Sequence, residues 1–196
     1  MARIEALPER EAGLFGRFAY RVSRRRFGKV AEPLAVTAHH TRLLLGYGLF
    51  ELALGRSRLV PERLKWLGEM KVATIVGCEF CIDIGSALGR GLGATEEQLH
   101  GLPRFRESGV FSPLEKLVLE YAEAMTRTPV RIPDDLFEAL REHFDEAQLV
   151  ELTAAIAWEN YRARFNHALG LGSQGFSEGA YCPVPENVHP TLSGSD

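Results

Sequence analysis

Cys78 and Cys81 stand three positions apart in VGCEFCIDIGSALGRGLGATEEQL, residues 76–99. On a helix this spacing puts both on one face with Cβ atoms ~5–6 Å apart, and a small adjustment in a first turn reaches the ~3.8 Å of a disulfide. The pair can therefore open and close without remodelling its surroundings. Free N–H groups at a helix N-terminus favour a thiolate, the species that attacks disulfides and peroxides. Glu79 and Asp83 act against this, because nearby negative charge disfavours ionisation of sulfur. Haem attachment would need His directly after Cys81, where Ile82 stands, and structural zinc needs four ligands where no second CxxC or spaced His pair exists. The plain alternative to redox chemistry is two inert core residues, since free Cys is among the most buried residue types. A third cysteine, Cys182, could be a further redox partner or an ordinary small apolar residue.

The elements that position the pair read as helices throughout. Apolar residues recur at three and four positions and no window alternates between hairpin turns, which gives an all-α fold. One helix is expected over Pro33–Gly55. Pro61 and Glu62 open the next, ERLKWLGEMKVATIV, which should stop near Gly77. The cysteine helix then fades through Gly89, Gly91 and Gly93. Thr95 with Gln98, and Ser112 with Glu115, form capping-box signatures for two further helices, the first ended by Pro103. Pro133, Asp134 and Asp135 lead into LFEALREHF, and Asp145 caps a long last helix that ends at Gly170 or Gly172. The tail from Ser173 is too rich in Gly, Pro and Ser for a helix. Its first half, with Phe176, Tyr181 and Cys182, should pack on the body, and its last ten residues should be loose.

A chain of 196 residues with 45% hydrophobic and 25% charged residues suits one soluble domain, divided here into an N-terminal helical extension (1–39), a helical core (40–172) and the tail (173–196). No apolar run approaches a membrane span, and no secretory signal is read at the start, so a cytoplasmic location without membrane partners is expected. In a reducing compartment a close cysteine pair is more often catalytic or metal-binding than structural. A net charge of −3 argues against nucleic acid, although the first 30 residues hold eight Lys or Arg against three Glu. Phe15, Phe18 and Tyr20 among them suit an amphipathic helix with a solvated basic face.

The segment GEMKVATIVGCEFCIDIGSALGRGLGATEEQL resembles the carboxymuconolactone decarboxylase-like superfamily, and within it the branch of the alkylhydroperoxidase AhpD. The later segments FSPLEKLVLEYAEAMTRTP and VELTAAIAWENYRARFNHALGLGSQGF are similar to longer members, so the similarity spans roughly residues 40–182. The resemblance implies a single-domain bundle of helical pairs, homo-oligomers, and a thiol-dependent peroxidase or disulfide reductase that needs no metal or flavin. Cys81 would attack a peroxide or disulfide, Cys78 would resolve, and a dithiol donor such as a lipoyl group or small redox protein would return electrons. The family motif also carries a proton-relaying Glu and His, at positions held here by Trp66 and Gly85. Candidates to replace them are Glu69, one turn beyond Trp66, and His167, which like His39 and His40 could approach only through the tertiary fold; Asp83 and Ser86 flank the pair. Two other activities stay open: cofactor-free decarboxylation, which in this superfamily generally goes without the CxxC, and non-catalytic redox sensing.

Overall fold

The computed structural model describes residues 2–178; Cys182, Tyr181 and the rest of the tail lie outside them. The described elements are α1 (Gly13–Phe27), α2 (Glu32–Thr37), α3 (Thr41–Arg56), α4 (Glu62–Val76), α5 (Glu79–Gly91), α6 (Glu96–Gly101) with a 3₁₀ turn Leu102–Arg104, α7 (Pro113–Thr126), α8 (Asp134–Arg141) and α9 (Glu146–Ala168). No strand occurs among the described residues, as the sequence pattern requires. The three capping sites behave as expected: Thr95, Ser112 and Asp145 each accept from the backbone three residues on, and each closes a reciprocal capping box.

The expected helix over Pro33–Gly55 is two helices. The apolar pattern runs through the break, but His40 Nδ1 accepts from the Leu43 amide and so caps α3, separating it from α2. No helix is long and apolar enough to cross a membrane among the described residues.

The centre of the fold is α4, which buries eleven of its fifteen residues and packs against α5, α7 and α9. α9 runs beside it in the same direction. At their start Lys65 Nζ meets Glu151 Oε1 at 2.6 Å, and in the middle Gly68 lies so close that a Cβ there would come within 2.9 Å of Ile156 Cγ1. The N-terminal helices form a second small core around Tyr20, Ala35 and Leu44. They are tied to the end of the chain by the Arg3 amide on the Leu169 carbonyl and by the Glu32 amide on Gln174 Oε1.

Where α3, α4 and α9 meet, Arg162 serves three carboxylates: Glu51 at 2.9 Å, Glu69 at 3.2 Å and Glu159 at 2.6 Å. Trp158 Nε1 also donates to Glu51, while Glu159 Oε1 is buried without a hydrogen-bond partner among the described residues. Burial pushes Glu159 up to about 7, and Glu69 and Glu51 add to this against the opposing pull of Arg162. The folded chain thus keeps a proton that the unfolded chain releases near 4.5, so stability falls as pH rises from about 4.5 to 7 and is level above. Glu159→Gln should remove that fall. Urea denaturation should find the variant more stable at pH 8 by roughly 2–3 kcal/mol and little changed at pH 4.

Candidate functional site

The turn between α4 and α5 sets the site. Gly77 adopts φ +75°, which closes α4, and the amides of Gly77 and Cys78 both donate to the Ala73 carbonyl. Cys78 is therefore the N-cap of α5. A disulfide joins it to Cys81, with Cα atoms 5.3 Å apart. The Cys81 amide donates to Cys78 Sγ at 3.2 Å, so a free N–H of the helix N-terminus is aimed at the first sulfur.

Both cysteines are buried, Cys78 at 1% and Cys81 at 7% relative exposure. The second is the more open of the two.

One residue that the sequence did not single out completes the centre. Asn166, on α9 and 3% exposed, points Nδ2 at Cys81 Sγ at 3.4 Å and at Cys78 Sγ at 3.8 Å. An amide N–H is a donor to sulfur, and donors favour the ionised form. Its signal in the sequence is only its place one turn after Arg162 on a helix that borders the pair.

The other candidates fall elsewhere. Glu69 is engaged by Arg162, and burial raises its carboxyl above the ordinary range. His167 is exposed and sits with Nδ1 3.4 Å from the Gly77 carbonyl, one residue from the centre but on no sulfur. His39 meets the Glu5 carbonyl, and His40 caps α3. Asp83, which flanks the pair in sequence, is fully buried and anchors the segment that follows α9. It accepts from the amides of Gln174, Phe176 and Ser177 and from Ser177 Oγ, at 2.7–3.0 Å. Burial alone would raise its carboxyl, but those hydrogen bonds outweigh it and hold it at about 2. Ser86 Oγ donates to the Ile82 carbonyl.

Trp66 and Gly85 are joined across the α4–α5 seam by one hydrogen bond. The indole Nε1 donates to the Gly85 carbonyl at 2.8 Å, and a Cβ on Gly89 would lie 2.2 Å from Trp66 Cζ2. A Cβ on Gly85 would fall 2.3 Å from Met70 Sδ. The indole ring thus fills the α4–α5 seam over Gly89, while Met70 packs against Gly85. Among the described residues no group of three or more His, Cys, Asp or Glu is placed to hold a metal ion.

Residues 39–124 match the model of the carboxymuconolactone decarboxylase family. The chain is 35% identical over 165 residues to the uncharacterized protein YnjA of Escherichia coli, covering 83% of this chain and 87% of that one. This chain belongs to the carboxymuconolactone decarboxylase family. The AhpD-like fold of the family is seen in an AhpD-core, peroxidase-related protein from Ralstonia eutropha (TM-score 0.76, 15% identity, 89% of this chain and 94% of that one). The debrominase Bmp8 shares it too (TM-score 0.77, 18% identity, 88% and 92%). Within the carboxymuconolactone decarboxylase family this chain is thus a helical, CxxC-bearing member whose sulfurs are met by an amide.

If Asn166 acts on the sulfurs, Asn166→Ala should raise the apparent pKa of the alkylated thiol by about one unit, the size of a lost hydrogen bond to a charged group. The measurement is the pH profile of iodoacetamide alkylation of the reduced protein. An unmoved profile would show that the amide does not reach the sulfur electronically.

Proposed function

We propose that the protein is a thiol-dependent oxidoreductase of the AhpD type that works by opening and closing the Cys78–Cys81 disulfide. The observation that carries this reading is the placement of the disulfide at the α5 N-terminus, with the Cys81 amide on one sulfur and Asn166 on the other.

The roles follow from access and charge. Cys81, the more open sulfur, is where a substrate meets the protein. Cys78 is the sulfur whose thiolate the N-cap N–H favours, so it leaves when a donor attacks Cys81 and returns to resolve a Cys81 adduct. With a peroxide, the Cys81 thiolate takes the terminal oxygen to become a sulfenic acid and releases an alcohol or water. Cys78 then expels that oxygen as water and forms the disulfide.

A dithiol donor, such as a lipoyl group or small redox protein, reduces the disulfide and is itself oxidised.

Disulfide exchange suits this centre better than rapid peroxide reduction. Asn166 donates a hydrogen bond but transfers no proton, and Trp66 and Gly85 leave the usual relay seats without an acid or base. Positioned acid–base groups typically supply ~10²–10⁴ in rate, which a peroxide's leaving oxygen needs more than a thiolate does. Self-association belongs to the same reading. α3 leaves Leu45, Leu49 and Leu52 exposed, an apolar face suited to a second copy of the chain.

Decarboxylation is less well supported, because in the resembled superfamily that activity generally goes without the cysteine pair that this chain carries. Cys81→Ser should abolish thiol-dependent reduction of a small disulfide or peroxide. Cys78→Ser should instead trap a stable mixed disulfide on Cys81, visible by mass spectrometry. Full turnover by Cys81→Ser would end the proposal, and retained turnover of a muconolactone-type acid by the double variant would favour decarboxylation.

A further inference from the structure

An open pocket of about 360 Å³ lies between the ends of α4 and α7 and the flank of α9. Ile75, Val76, Thr126, Arg127, Thr128 and Arg164 line it. Val76 is two residues before Cys78, so this wall of the pocket is within ~8 Å of backbone of the disulfide. The geometry points to a binding site for an anionic, partly apolar partner of the cysteine pair, such as an aryl or alkyl carboxylate that carries the reacting thiol or disulfide.

The charges around the pocket support that assignment. Arg164 sits on α9 one turn before His167, whose ring meets the carbonyl of Gly77, the residue between Val76 of the pocket wall and Cys78. Arg164 Nη2 donates to the Thr126 carbonyl at 2.8 Å and Nη1 donates to Asn160 Oδ1; it makes no ion pair among the described residues.

Arg127 does pair with a carboxylate, Glu123, at 2.5 Å, but Glu123 is shared with Arg106 at 2.7 Å. The positive charge of the pocket is carried by Arg164, a guanidinium already oriented by two hydrogen bonds. Ile75 and Val76 supply an apolar wall. Guanidinium groups beside apolar walls recognise carboxylates on a hydrophobic body.

This inference rests on the thiol reading, and the test separates the two. Fully reduced protein is mixed with either of two disulfide probes at pH 7: the dianionic 5,5′-dithiobis(2-nitrobenzoate) or the neutral 4,4′-dithiodipyridine. In both cases the Cys81 thiolate attacks one probe sulfur and expels one aryl thiolate. Cys78 then displaces the second, which leaves the protein disulfide and two reduced aryl thiols.

Arg164→Gln should slow the dianionic probe about tenfold and leave the neutral one within twofold, as expected for loss of local steering charge. Arg164→Lys should retain most of the preference, and phthalate should slow the dianionic probe alone. Arg58→Gln, just before α4 and so at the opposite end of that helix from Val76, should change neither rate. An unchanged dianionic rate in Arg164→Gln, or equal slowing of both probes, overturns the anion site while leaving the redox pair intact. Failure of both probes on the wild-type protein overturns the thiol reading and this inference with it.

Discussion

Gly77 sits in a left-handed conformation that an L side chain adopts only with strain, and the whole site depends on it. That turn ends α4 after the most buried helix of the fold and reverses the chain at once. It makes Cys78 an N-cap, so the next N–H groups have no helical partner and one of them reaches sulfur. Because α5 then folds back along α4, the cysteine pair faces α9, where Asn166 waits. A looser connection would leave the same two cysteines in an ordinary helix.

Trp66 and Gly85, where the resembled motif carries Glu and His, both lie in the seam between α4 and α5. Trp66 is a large residue that needs a nearly bare partner surface, and Gly89 provides it. The indole hydrogen bond to the Gly85 carbonyl satisfies the one polar atom that the ring brings inside. The groups that surround the disulfide are an N-terminal amide and a side-chain amide, both of them donors.

Much of this was legible in the sequence because it is local. The CxxC, the glycine before it and the capping boxes at Thr95, Ser112 and Asp145 each act within four residues. The family pattern in residues 76–99 added the fold, and the match over residues 39–124 agrees with it. The break at His40 was hidden, since apolar periodicity continues across it and imidazole is an uncommon cap. Asn166 and the ligands of Asp83 were hidden for a different reason: they meet their partners only through tertiary packing of segments more than 80 residues apart. A residue such as Asn in FNHAL has no pattern that marks it as facing sulfur. Glu69 and His167 had the right chemistry, but one is engaged by Arg162 and the other by a backbone carbonyl.

The central claim is that Cys78–Cys81 is a working dithiol rather than a fixed staple. Its reduction potential decides this most directly, read by equilibrating the protein in graded dithiothreitol buffers at pH 7 and quantifying the disulfide by mass spectrometry. The account predicts a reversible two-electron transition between roughly −180 and −280 mV, the range of exchange-active pairs. A potential below about −300 mV, the region of structural disulfides, would contradict it.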